Sequence, residues 1–113
     1  MSSLVNVRTD KSQYKKGETV QIKISNDSDK VVNFIDAGFG LEINHQDSIV
    51  WSLDGPEVLT PLESGESRTV EWNQRNRDDE QVPAEKYVAS VKYYASQKTE
   101  LFNSTKEFEI INY

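Results

Sequence analysis

A turn followed by an alternating strand occurs twice in this chain and constrains the fold more than any other feature. The first copy runs from Tyr14 to Ile24 (YKKGETVQIKI), and the second runs from Leu62 to Trp72 (LESGESRTVEW). In each copy a Gly precedes a Glu, and Gly suits a tight turn because it accepts positive φ without steric cost. Apolar and polar residues then alternate, which places the apolar side chains on one face of a pleated strand. Such a unit is typical of antiparallel β-sandwiches.

The same alternation recurs along the chain, and no long segment shows the apolar spacing of about 3.6 residues that marks an amphipathic helix. Short strands between turn residues predict an all-β fold, an antiparallel immunoglobulin-like or fibronectin type III-like β-sandwich of about seven strands. At 113 residues the chain has room for one such domain, spanning residues 1–113. The side chains that we predict to share its core are Ile22, Trp72, Tyr87, Val91 and Phe108.

Composition excludes several classes of function. The net charge is −6 and no cluster of Lys and Arg forms the basic surface that a nucleic acid requires, so we expect no nucleic-acid partner. The chain has no cysteine, which excludes disulfides and cysteine zinc sites. No stretch approaches the ~20 apolar residues of a membrane span, so we expect no membrane insertion within this chain. Met1 leads straight into a strand pattern, which indicates either an intracellular protein or a domain excised from a longer one.

Several short motifs follow one another in the order of a known family. They are YKKGETV from Tyr14, NDSDKVV from Asn26, LESGES from Leu62, the single residue Trp72, and VPAEKY from Val82. This order resembles the intracellular proteinase inhibitor (BsuPI-like) family and, more loosely, other prokaryotic immunoglobulin-like modules. The resemblance implies a β-sandwich, and it offers proteinase inhibition inside the cell as one activity.

Two local patterns predict details of the sandwich. Tyr87 stands at the start of the penultimate strand after a loop that contains Pro83, where its hydroxyl can form a tyrosine corner by hydrogen-bonding nearby backbone. Gly38 and Gly40 flank Phe39, which indicates a bulge or a bend where the chain changes sheet.

His45 is the only histidine, and the neighbouring Asp47 and Ser48 suggest a hydrolase triad at first sight. Neighbours in a turn point in divergent directions, however, whereas a triad requires convergent side chains. We therefore predict an exposed loop histidine, no catalytic residues and no enzymatic activity.

The acidic run from Asp78 to Glu80 offers oxygen ligands of the kind that calcium prefers. Arg75 and Arg77 lower the local negative charge, and consecutive side chains rarely converge on one ion. The simpler prediction is an exposed charged loop that holds neither a metal nor a cofactor.

Asn26 and Asn103 begin triplets that match the acceptor pattern for N-glycosylation, and both fall in predicted turns where a glycan would fit. Tyr93, Tyr94 and Phe102 are a candidate aromatic anchor for a partner, and alternation predicts that only one of the two tyrosines is buried. Ordinary turn and sheet residues are the simpler interpretation of both patterns.

The long charged segment Asn73–Glu85 is the leading candidate for a binding surface. Long loops without structure of their own are usually functional or disordered. This one begins after Trp72 and ends before Tyr87, two predicted core residues, so it can present side chains with little loss of entropy on binding. The candidate contact residues are Asn73, Arg75, Arg77, Asp78, Asp79 and Glu80.

We therefore expect a non-enzymatic module that binds or positions another protein, as part of a prokaryotic surface or secreted protein. The alternative is a cytoplasmic proteinase inhibitor that presents the same loop to a protease. The loops His45–Ser48 and Asp54–Thr60 are further candidates. The identity of the partner and the self-association of the chain stay open.

Overall fold

The computed structural model describes residues 4–53, 55–94 and 101–111, and these ranges contain strands and turns without a helix. Two sheets form, which confirms the predicted all-β sandwich. The strands are β1 (Val5–Thr9), β2 (Gln13–Lys15), β3 (Val20–Asn26), β4 (Val32–Phe34), β5 (Glu42–His45), β6 (Ser48–Ser52), β7 (Thr60–Leu62), β8 (Ser67–Trp72), β9 (Lys86–Tyr94) and β10 (Leu101–Ile111).

The smaller sheet has the strand order β1-β3-β8. The larger sheet follows the path β2-β10-β9-β4-β7, and the β5–β6 hairpin joins it through pairing of β5 with β9. All pairs are antiparallel except β2 with β10, which run parallel. The described strands outnumber the predicted seven or so in part because β2 and β7 have three residues each, too few to show alternation in the sequence.

The prediction that the chain changes sheet at the Gly38–Gly40 segment is wrong. Both β4, before this segment, and β5, after it, pair with β9, so the chain moves along one edge of that strand and stays in the same sheet. The bend itself is present, since Phe39 and Gly40 both adopt positive φ, at 62° and 59°. The phenyl ring of Phe39 then packs edge-on against Phe34 at 5.0 Å, which compensates for its unfavourable backbone conformation.

A β-bulge lies in the β5–β6 hairpin instead. The register between these strands shifts between Ile43 and Asn44, which leaves Val50 as the extra residue opposite them. A bulge lets consecutive side chains turn toward the same side. Val50 and Trp51 accordingly both pack against the core, although they are adjacent in the sequence.

The side chains that the sequence assigns to the core are all buried, with relative exposures of 2% or less: Ile22, Trp72, Tyr87, Val91 and Phe108. Trp72 lies edge-on to Tyr87 and to Phe108, with ring centroids 6.0 and 6.1 Å apart. Trp51 stacks on Trp72 from β6, at 6.1 Å and an interplanar angle of 29°. Trp72 therefore lies in the core and is also the last residue before the β8–β9 loop, residues 73–85.

Candidate functional site

The β8–β9 loop, residues 73–85, is held at its base by a buried glutamine. The Gln74 side chain is fully buried, and its Nε2 donates to the carbonyl oxygens of Lys15 and Glu18 at 2.8 and 2.9 Å. Its Oε1 accepts from Nε2 of Gln81 at 2.9 Å, and its backbone oxygen accepts from Val82. These hydrogen bonds tie both sides of the loop to the turn that precedes β3. The backbone of Gln74 lies in the left-handed region, with a φ of 64°.

Sequence reasoning missed Gln74. Nothing in the sequence distinguishes a buried glutamine from an exposed one in a run of polar residues, and most glutamines are exposed. Its role depends on two carbonyl groups that lie 59 and 56 residues earlier in the chain, which only the folded chain brings within reach.

The tip of the loop, Asn76–Glu80, is a tight turn that Asn76 organises. The Oδ1 of Asn76 accepts from the backbone N–H groups of Asp78 and Glu80 at 2.9 and 3.0 Å, and its own N–H donates to the Glu80 carbonyl. Asp79 occupies the left-handed region with φ 62°. Short polar side chains stabilise turns in this way because they replace backbone partners. The tip is therefore ordered by its own hydrogen bonds.

Arg75 is also used inside the loop. Its carbonyl oxygen accepts from Nε1 of Trp72 at 2.9 Å, and its Nη1 donates to the Asp79 carbonyl at 2.7 Å. The Asp79 carboxylate lies 3.9 Å from Nε of Arg75. Asn73 contributes by accepting the backbone N–H of Arg75 at 3.1 Å. These candidate contact residues thus shape the loop as well as lie on its surface.

The far end of the loop is fixed by the tyrosine corner. The Tyr87 hydroxyl donates to the Pro83 carbonyl at 2.6 Å, which confirms the predicted hydrogen bond to nearby backbone. Burial, together with the nearby negative charge of Glu85, raises the pKa of Tyr87 to about 12. The loop is consequently anchored by Trp72 and Gln74 on one side and by Tyr87 on the other.

Two open clefts meet at the tip. The Arg77 cleft, of about 600 Å³, is lined by Trp51, Ser52, Asn76, Arg77 and Asp79. The Ile49 cleft, of about 290 Å³, is lined by Ile49, Val50, Asn76, Arg77, Asp78, Val82 and Pro83. Asn76 and Arg77 belong to both, so the two clefts form one surface between strand β6 and the tip.

Arg77 is exposed, and its Nη2 donates to Oγ of Ser52 at 3.2 Å. Asp78 and Glu80 are exposed beside it. The structure thus brings the predicted contact residues together on one loop. It also adds Trp51 and Ile49 of β6, which the sequence does not connect with this loop.

His45 differs from its prediction as a solvated loop residue. It is the last residue of β5, its side chain is 25% exposed, and its ring packs 5.5 Å from that of Tyr87. Its Nε2 lies 4.0 Å from the Glu85 carboxylate. Among the described residues, no side-chain hydrogen bond joins it to Asp47 or Ser48, although its backbone pairs with Ser48 across the β5–β6 hairpin. Within residues 4–53, 55–94 and 101–111, no group of three or more His, Asp and Glu side chains is arranged to hold a metal ion, and none of these residues belongs to a helix that could cross a bilayer.

The prediction that a glycan would fit at Asn26 is wrong. Asn26 is fully buried at the end of β3, and its Nδ2 donates to the carbonyl oxygens of Lys30 and Leu62 at 2.7 and 2.8 Å. Its amide group has no room for a glycan. Asn103 is exposed, but it lies within β10, paired with Lys92, and not in a turn.

The aromatic residues near the end of the β9–β10 hairpin follow their predicted alternation. Tyr93 is 2% exposed and Tyr94 is half-buried, which confirms that one of the two is buried. Phe102 is 37% exposed and stacks on Tyr93 at 5.8 Å.

The structure describes only part of the candidate loop Asp54–Thr60. Asp54 lies outside the described residues, and Val58 is 57% exposed.

Comparison with known proteins gives no family for this chain. No protein-family profile matches it, and no curated protein matches it. Among solved structures, β-glucosidase from Listeria innocua in complex with glucose is 16% identical, with a TM-score of 0.41, over 96% of this chain. A mutant form of that enzyme in complex with laminaribiose is 17% identical, with a TM-score of 0.42, over 96% of this chain. This chain covers 16% of each of those chains, and at such TM-scores the likeness carries no function to it.

Proposed function

We propose that this chain is a non-enzymatic module that binds or positions another protein, and that it binds through the tip of the β8–β9 loop. The observation that supports this most directly is the way the loop is built. Its shape is maintained by the buried Gln74, by the Asn76 turn and by the Tyr87 corner. Arg77, Asp78 and Glu80 meanwhile remain exposed at the tip.

Such construction favours binding for a thermodynamic reason. An association loses free energy when it immobilises loops and side chains, by roughly 0.5–1.5 kcal/mol for each ordered side chain. A loop that is already ordered avoids much of this loss. A loop that served only to connect two strands would need neither a buried polar anchor nor an internally bonded turn, because the shortest connections suffice for that purpose.

The surface next to the tip has the composition of a recognition site. Trp51 and Arg77 line the same cleft, and Trp and Arg are the residue types most enriched among the residues that dominate binding energies. We place the module in a prokaryotic surface or secreted protein. The alternative is a cytoplasmic proteinase inhibitor, in which the tip would enter the active-site cleft of a protease.

The test replaces the exposed tip residues while keeping the turn. The tip variant carries Arg77→Ser, Asp78→Ser and Glu80→Ser, and it retains Asn76 and Asp79. The matched control carries Lys30→Ser, Asp29→Ser and Glu63→Ser, which remove the same charges from exposed turn positions outside the loop. The free energy of unfolding of both variants should lie within about 0.5 kcal/mol of the parent's, since surface changes of this kind have small effects on stability.

Partners captured by the immobilised parent from the source organism are identified, purified and titrated against all three proteins by calorimetry. We expect the control to bind as the parent does and the tip variant to bind at least roughly tenfold more weakly, as for the loss of a central binding residue. Equal binding by the tip variant would show that the loop is only a connection. Inhibition of purified proteases by the parent, lost in the tip variant, would favour the inhibitor alternative.

A further inference from the structure

Among the residues that the structure describes, Arg77 has no acidic partner, although the protein is acidic. Of the ion pairs among the described residues, none includes Arg77, although Asp78 and Asp79 follow it directly. Asp79 lies beside Arg75 instead, at 3.9 Å. Among the described residues, the Arg77 side chain makes one hydrogen bond, to Oγ of Ser52. A guanidinium carries five N–H donors in a planar fork, so most of its capacity to bind a carboxylate is unused.

The Arg77 cleft also has an aromatic lining residue that is held in place. Trp51 lines the Arg77 cleft from β6, and it is fixed from behind by stacking on the buried Trp72 at 6.1 Å. Ile49 is 41% exposed and lines the adjoining Ile49 cleft together with Val50. Apolar side chains therefore line both of the clefts to which Arg77 belongs.

We propose that this surface receives an extended segment of a partner protein, which places a carboxylate on Arg77 and a neighbouring apolar side chain against Trp51 or Ile49. This inference rests on the proposed function and names the chemistry of the partner. A carboxylate can accept two parallel hydrogen bonds from a guanidinium, and the apolar wall excludes water from the pair and strengthens it.

The local charges also limit how acidic the segment can be. Asp78 lines the Ile49 cleft and Asp79 lines the Arg77 cleft, so a second acid in the bound segment would lie close to a like charge. A single acidic residue between apolar ones fits this arrangement, whereas a run of acids does not. The two clefts are open, and between them they are lined by the four consecutive β6 residues 49–52, an arrangement that suits an extended chain.

A library of random twelve-residue peptides displayed on phage tests the proposal. Peptides are selected on the folded parent, and the most enriched ones are synthesised with a fluorescent label. We expect enriched sequences to contain one Asp or Glu next to Leu, Ile, Phe or Trp. Fluorescence anisotropy should show binding weakened about tenfold or more by Arg77→Ala and abolished by Arg77→Glu, as for a central charged contact. The control, Arg68→Ala on β8, should bind as the parent does.

A charge swap provides the decisive measurement. The Arg77→Glu variant should bind a peptide in which the selected acid is replaced by Lys, and the parent should not. Enrichment without an acid, no enrichment at all, or binding that survives Arg77→Glu would each overturn the inference. The proposed function is judged separately by the tip variant and its captured partner. If capture of the partner depends on the tip residues but peptide binding does not depend on Arg77, only this inference fails. If capture of the partner does not depend on the tip residues, the proposed function and this inference both fail.

Discussion

The carboxylate of Glu66 accepts a hydrogen bond from the backbone N–H of Glu63 at 2.8 Å, while the N–H of Glu66 donates to the Glu63 carbonyl at 3.0 Å. Glu18 and Lys15 make the same reciprocal pair, at 2.6 and 3.1 Å. The two sequence units are therefore one turn used twice, each time just before a strand of the smaller sheet. The Glu has a specific role in this turn, since its side chain satisfies a donor that the turn leaves free.

The glycine of this turn should be sensitive to substitution for a purely conformational reason. Gly65 has φ 81°, and a Cβ added there meets no atom within 4 Å. We expect Gly65→Ala to lower the free energy of unfolding by about 1–2 kcal/mol, the cost of the left-handed region for a residue with a Cβ. Gly65→Asn should cost less, because Asn tolerates that region better. Urea denaturation of both variants measures this, and equal stability of Gly, Ala and Asn at this position would contradict it.

Trp72 should contribute most of the stability of the aromatic core. It is 1% exposed and contacts the rings of Trp51, Tyr87 and Phe108. We expect Trp72→Ala to cost about 3–5 kcal/mol, the usual range for removing a large core aromatic. Trp51→Ala, at the half-buried partner of the stack, is the comparison and should cost clearly less. A loss below about 0.5 kcal/mol for Trp72→Ala, in the range of surface substitutions, would show that Trp72 is not essential to the core.

Replacing Gln74 should destabilise the chain more than its polar character suggests. In Gln74→Leu, the carbonyl groups of Lys15 and Glu18 lose the donor that the buried side chain supplies, and the Lys15 carbonyl keeps the bond from the Glu18 N–H. We expect a cost of about 1–3 kcal/mol for the lost hydrogen bonds. Gln81→Ala removes an exposed glutamine that bonds the same side chain and serves as the control, with a smaller loss. Equal losses in the two variants would contradict the anchoring role of Gln74.

Stability should fall as the pH rises from 10 toward 12. The pKa of Tyr14 and of Tyr87 is raised from 10.0 to about 12, chiefly by burial, and for Tyr14 also by the Asp10 carboxylate that accepts its hydroxyl. The folded state therefore binds these protons more tightly than the unfolded state. Their contribution is complete below pH 10 and is lost as the pH rises from 10 toward 12. Tyr87→Phe should reduce the slope of unfolding free energy against pH in this window, and an unchanged slope would contradict the assignment.

A loss of stability is also expected in acid. The pKa of Glu18 is lowered below 4.5, mainly by the hydrogen bond from the Lys15 N–H, and that of Asp10 is lowered below 3.8, mainly by the Tyr14 hydroxyl. Groups with lowered pKa stabilise the folded state above their unfolded pKa, and the effect is lost as the pH falls through the folded value. The Glu18→Gln variant should lose less stability than the parent between neutral pH and pH 3. An identical acid profile in thermal unfolding experiments would argue against the role of Glu18.

Features that depend on near neighbours in the chain were predictable. Positive φ at Gly17 and Gly65 follows from the turn sequence, and the hydrogen bond from Tyr87 to Pro83 spans only a few residues. Tyr93 is buried and Tyr94 is not, as expected from the alternation of side chains between the two faces of a strand. Each of these needs only local sterics and the two faces of a pleated strand.

The sequence by itself determined the all-β character, the alternating core and the repeated turn, because backbone sterics and the burial of apolar surface act on residues that are close along the chain. Only the tertiary structure decided that Asn26 and Gln74 are buried, since a polar side chain can be buried only where distant carbonyl groups come within reach. It also decided that Trp51 and Arg77 line one cleft. That neighbourhood depends on the pairing of β5 with β9 and on a bulge in β6, and neither leaves a periodic pattern in the sequence.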